Sequence, residues 1–179
     1  MQVCKVKILV ICIVFFQHFG FSQNLKVDSS CIQKIQIRKV TGSSLSGIVE
    51  NGDSLKILFG FYGCNEVKRE DIAVYNYAGS KIPLIKSVKG LPTDTFKINC
   101  RKGQCFIEIN GKEVKNNQGG LYYIPEKESS LLKYYEKSFL GIIPPGTFMI
   151  LGSHNGTIDS GKFGLVGIKD LIGKAESLK

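Results

Sequence analysis

Residues 95–114 read TFKINCRKGQCFIEINGKEV. Two runs rich in β-branched and aromatic residues, 95–99 and 105–110, flank the loop Arg101-Lys102-Gly103-Gln104, and Asn110-Gly111 closes the second run with a strong hairpin turn signal. The stretch predicts consecutive antiparallel strands. Cys100 and Cys105 bracket the loop and are the best candidates for a disulfide. Segments of the same kind fall at 55–62, 72–77, 82–88, 148–151 and 163–166, separated by Gly, Pro, Asn and Asp. Only residues 129–137 look helical, with Ser129 or Ser130 available as N-cap. The expectation is a mainly β, antiparallel fold, with residues 117–120 as a loop and no internal repeat.

At 179 residues the chain suits one well-buried domain and is too short for two full domains with a linker. Apolar residues make up 43% and charged residues 22%, which excludes wholesale disorder. The net charge of +9 is spread along the chain without a basic run interleaved with aromatics, so nucleic acid is not the expected partner. A diffuse basic excess fits an anionic membrane surface or an ordinary solvated one.

Lys5 and Lys7 precede the apolar run 8–16, and Gly20 and Ser22 follow it before Gln23. Residues 1–23 therefore read as an export signal, either a cleavable signal peptide or a retained anchor, with residues 24–179 facing outward. The expected location is the extracytoplasmic side of a bacterial-type inner membrane, or the periplasm or medium if the segment is cleaved. Of six cysteines, Cys4 and Cys12 lie in that segment; Cys31, Cys64, Cys100 and Cys105 lie where disulfides persist, and their spacing does not match a zinc site. No metal is expected.

Three segments carry candidate chemistry. Thr41-Gly42-Ser43-Ser44-Leu45-Ser46-Gly47 surrounds serines with small residues, which suits an exposed hydroxyl approached by a substrate backbone and equally suits a plain loop. In a strand over 82–88, alternation places Lys86 on the face of Ile82, Leu84 and Val88, the apolar one. A lysine there is either a snorkelling edge residue or an amine whose burial depresses its pKa. The third segment, residues 143–164, contains a turn, a buried strand and a polar loop with Thr157, Asp159, Ser160 and Lys162. Hydroxyls and a carboxylate gathered there either orient a lysine or satisfy one another.

The order of these segments resembles the type I signal peptidases, including the branch that matures conjugal-transfer pilins. "GSSLSGIVENGD" is similar to that family's S-x-S-M-x-P-T-L-x-x-G-D and places Ser44 at the nucleophile. "LIKSVKGLPTD" resembles Y-I-K-R-V-x-G-L-P-G-D and selects Lys86, not Lys89, as the base. "IPPGTFMILGSHNGTIDSGKFGLV" resembles the closing V-P-x-G-x-x-F-V-M-G-D-N, S-x-D-S-R and Phe-Gly stretches, and "INGKEV" looks like the family's hairpin. Departures are Leu45 for Met, Gly47 for Pro, Gly42 for an oxyanion-hole Ser, Ser153 for Asp, and Gly161 or Lys162 for Arg.

The resemblance, from about Val40 to Ala175, implies a signal peptidase-like β catalytic domain with a small inserted β region near 95–120. It implies a serine endopeptidase in which neutral Lys86 takes the Ser44 proton and an acyl-enzyme forms, with Thr157, Asp159 and Ser160 in support. Ile48 and Leu84 would line shallow substrate pockets. Substrates would be exported preproteins or pilin-like partners, and no cofactor is implied. His18 lies in the targeting segment, and His154 has no recognisable triad spacing. The alternative is an exported β-rich binding or pilus-assembly protein that keeps the scaffold without catalysis.

Overall fold

The computed structural model describes residues 27–78 and 80–178, so the targeting segment read at 1–23 lies outside the described residues. No helix among the described residues is long and apolar enough to cross a membrane.

The larger sheet is assembled from distant parts of the chain. β1 (Lys34–Lys39), β2 (Ser54–Phe59), β3 (Ile72–Tyr75) and β4 (Leu84–Gly90) precede a smaller sheet of β5 (Phe96–Arg101), β6 (Gln104–Ile109), β7 (Lys112–Glu113) and β8 (Tyr123–Pro125). Helix α1 (Ser130–Ser138), β9 (Thr147–Leu151), the one-turn helix α2 (Ser160–Phe163), β10 (Val166–Gly167) and β11 (Leu171–Ser177) complete the chain. The seven strands of the larger sheet run in the order β1-β2-β11-β3-β4-β9-β10, every neighbouring pair antiparallel. In the smaller sheet β6 pairs with β5, β7 and β8, again antiparallel. The fold is mainly antiparallel β, as expected.

β9 binds the two sheets together. Its run Phe148-Met149-Ile150-Leu151 is buried throughout, which is why it reads as continuous hydrophobicity instead of alternation. Phe148 and Ile150 join Leu58, Ala73 and Val88 in one cluster, while Met149 and Leu151 join Phe96, Ile107, Ile109 and Leu132 in another. The second cluster lies between the small sheet, α1 and β9, so the small sheet cannot separate without exposing core.

A bulge between Val88 and Gly90 ends β4 and turns the chain toward the small sheet. Only glycine fits at 90: an added Cβ would lie 2.5 Å from Ile143 Cδ1 and 2.9 Å from Met149 Cβ. Asp94 holds the turn that follows. Its carboxylate accepts from Leu91 N at 2.6 Å, from Asn110 Nδ2 at 2.7 Å, and from Arg69 Nη2 at 2.9 and 2.8 Å. Burial opposes the charge of Asp94, yet the Leu91 amide, Asn110 and the Arg69 guanidinium together hold its pKa below the ordinary carboxylate value.

Several expectations are corrected. Residues 163–166 are not a strand: the Asp159 carboxylate accepts from Gly161 N at 2.9 Å, caps α2, and leaves only Val166 and Gly167 to pair with β9. Ile82 does not share the apolar face with Lys86; it precedes β4 and is 69% exposed. The smaller sheet extends to Pro125 through β8. Cys100 and Cys105 face each other across β5 and β6 and form a disulfide, and a second disulfide joins Cys31 to Cys64.

Candidate active site

Ser44 sits in a tight turn between β1 and β2. Ser46 N donates to Ser43 O at 3.0 Å, and Ile48 N and Val49 N both donate to Leu45 O at 2.9 Å. Leu45 and Val49 are buried and pin the inner side of this turn. Gly42 and Gly47 bracket it at φ of 97° and 87°, values that a side chain would strain. The carbonyl of Ser44 accepts from Ser153 N at 2.7 Å, which ties the turn to the end of β9.

Lys86 comes from the middle of β4, paired with Ala73 of β3. It is only 3% exposed. Among the described residues its amine makes no salt bridge and no hydrogen bond. Burial pushes its pKa below the ordinary lysine value, and the nearby Asp159 charge only partly opposes the shift. Lys89, three residues on, shows the usual arrangement: it reaches Glu70 at 2.6 Å.

Ser44 and Lys86 line the same cleft, of about 240 Å³, with Leu55, Ile57, Val74 and Leu84 among its apolar walls. Leu84 lines this cleft. Ile48 does not; it packs against the cluster of Val49, Leu55 and Ile57.

The polar loop after β9 lies outside the cleft lining but brings the Asp159 charge near Lys86. Asp159 is fully buried, and its Oδ2 accepts from Tyr122 Oη at 2.6 Å, from Gly152 N at 2.8 Å and from Thr157 Oγ1. With Gly161 N on Oδ1, four donors surround one carboxylate. This is the arrangement that makes a buried negative charge tolerable without a cation. Among the described residues Asp159 has no salt bridge, and Lys162 instead pairs with Glu128 at 3.0 Å. Burial and then the Asp159 charge raise the pKa of Tyr122, so its phenol stays a donor. Ser160, also fully buried, accepts from Ile150 N at 2.9 Å. The floor leaves no room for a side chain at 152, where an added Cβ would lie 2.6 Å from Thr157 Cγ2.

Tyr122 was not a sequence candidate. Nothing in its neighbourhood distinguishes it from Tyr123, and its role depends on a contact 37 residues away. His154 does meet a serine, but the neighbour of the expected one: its Nε2 lies 3.3 Å from Ser43 Oγ, and its Nδ1 lies 2.9 Å from Asn155 O. Ser153 uses its backbone on the Ser44 turn while its buried hydroxyl has no partner among the described residues. Cys100, Cys105 and Glu126 cluster closely, but both sulfurs are committed to the disulfide, which leaves no thiolate pair for a metal.

This geometry sets a half-buried serine and a buried lysine, unpaired among the described residues, on the lining of one cleft in an antiparallel β scaffold. The family model for signal peptidase, peptidase S26, matches residues 3–178, and the chain belongs to that family. Membership gives it a signal peptidase type of function and makes it a serine peptidase in general terms. Among solved structures, a signal peptidase I from Enterococcus faecalis V583 is similar with a TM-score of 0.41 and 20% identity, over 62% of this chain and 97% of that one. No curated protein matches.

Proposed function

We propose that the protein is an endopeptidase that removes signal peptides or propeptides from exported preproteins, with Ser44 as nucleophile and Lys86 as general base. The observation that carries this reading is the state of Lys86: 3% exposed, without an ion pair among the described residues, its pKa lowered by burial, on a cleft that Ser44 shares. A protonated amine has no proton vacancy and cannot act as a base; a dry one loses its proton more readily and can. Lys86 would accept the Ser44 hydroxyl proton as the oxygen attacks the scissile carbonyl carbon. The same proton would pass to the departing amine as the peptide C–N bond breaks, leaving an acyl-enzyme. Water, deprotonated in turn by Lys86, would then cleave the ester and restore Ser44.

Thr157, Asp159 and Ser160 support the lysine from a buried, hydrogen-bonded loop behind the cleft lining. Asp159 contributes a fixed negative charge that favours the transient ammonium formed at each proton transfer. The apolar wall at Leu55, Ile57 and Leu84 suits small, uncharged residues before the cleaved bond. The substrate's emergence from a membrane would put the site on the extracytoplasmic side, near the lipid surface. A pilin-like substrate is a narrower form of the same reading.

The test is cleavage of a model preprotein by Ser44→Ala and Lys86→Met, each checked for native folding by circular dichroism. Both are expected to lose activity by about 1000-fold or more. Wild-type turnover in either variant would end the dyad reading.

A further inference from the structure

The turn that carries Ser44 is held by a residue from a loop of the smaller sheet. Gly47, which closes the turn at φ 87°, is the least constrained residue type and cannot stiffen the turn itself. Support comes from the loop between β7 and β8, whose shape Asn116 fixes. Asn116 N donates to Gly120 O at 2.8 Å, and its Oδ1 accepts from Gln118 N at 3.0 Å and Gly120 N at 2.9 Å. A loop closed on itself in this way presents its next residue, Asn117, in a fixed direction. Asn117 Nδ2 donates to Ser46 O at 3.1 Å, and Asn117 N donates to Ser153 O at 3.0 Å. Ser153 N in turn donates to Ser44 O at 2.7 Å, so Asn117 touches the nucleophile turn directly and through one intermediary. The fit is close: a Cβ on Gly47 would come 2.9 Å from the Cβ of Asn117.

We infer that Asn117 is a positioning residue for Ser44, by which the small sheet sets the distance between the hydroxyl and the base. The inference rests on the reading of Ser44 as nucleophile. Asn117 lies outside the cleft lining and its side chain is exposed, so its effect is on the geometry of the reacting serine, not on substrate binding or on the dryness of Lys86.

The full chain would be assayed on a model preprotein as wild type, Asn117→Ala, Asn117→Gln and Ser44→Ala, with melting temperature and the pH profile of kcat/KM recorded for each active form. Asn117→Ala is expected to lower kcat about tenfold, because small misplacements of a reacting group are costly, with KM changed by less than about twofold. Its melting temperature and pH midpoint should match wild type, since neither the core nor Lys86 is touched. Asn117→Gln, which keeps an amide donor, should recover a substantial part of kcat. Wild-type kcat in Asn117→Ala, or a loss that moves with melting temperature or pH midpoint, overturns the inference. If that occurs while Ser44→Ala is inactive, only the role of Asn117 falls; an active Ser44→Ala removes the nucleophile reading and this inference together.

Discussion

The two halves of the site are built by different physics. The lysine half is core: Lys86 lies mid-strand in a seven-stranded sheet, and the flank around Asp159 is buried with every oxygen of that carboxylate engaged. The serine half is a glycine-bracketed turn whose outer side is exposed and whose position depends on hydrogen bonds from Ser153 and Asn117. Burial is needed to depress an amine's pKa, whereas a nucleophile must remain open to substrate. Damage to the first half should therefore appear as altered stability and pH dependence, and damage to the second as lost turnover in a folded protein.

The largest effect that would sharpen this contrast is on the buried carboxylate. Asp159→Asn replaces acceptor oxygens by an amide that cannot accept from all four donors. At least one of Tyr122, Gly152, Thr157 and Gly161 is then left unpaired in the core. A loss of about 3 kcal/mol in urea unfolding is expected. Because the Asp159 charge raises the Lys86 pKa, its removal should also move the rising limb of the activity profile to lower pH. An unchanged midpoint would break the electrostatic link between the two residues.

A smaller effect, of opposite sign, is expected for Lys86→Met. Between the depressed folded pKa of Lys86 and the ordinary lysine value, the unfolded chain binds more protons than the folded one. The contribution of this lysine to stability is thus unfavourable at neutral pH and improves as pH rises through that window. Methionine removes the cost and fills similar space, so the Lys86→Met variant should be more stable at pH 7 by about 1 kcal/mol. It should also lose that part of the pH dependence. A less stable Lys86→Met would mean that the ammonium is well solvated or paired in the folded state.

How far the molecule was legible in its sequence follows the same division. β4, β5, β6 and β9 were visible because their residues either alternate or form a fully apolar run, and the turns between them carry Asn-Gly, Gly or Pro. β1 was not anticipated: as an edge strand, exposed along most of its length, it has no buried face to impose a pattern. β11 was missed because its buried positions include Gly173 and Ala175, too small to stand out, although a Cβ at 173 would meet Leu58 O at 2.7 Å. Ser44 and Lys86 were singled out by local residue type and by the order of motifs. Tyr122 and Asn117 were invisible because each acts through a partner dozens of residues away, and no local spacing encodes that.

The most direct measurement is the titration of the Lys86 amine itself, followed by NMR of the labelled side chain in the folded protein and compared with the pH dependence of kcat/KM. One lysine is expected to titrate well below the others and to be absent from Lys86→Met, with activity rising through the same midpoint. A Lys86 amine that loses its proton only with the solvated lysines, while activity is already full at neutral pH, would contradict the role of Lys86 as base.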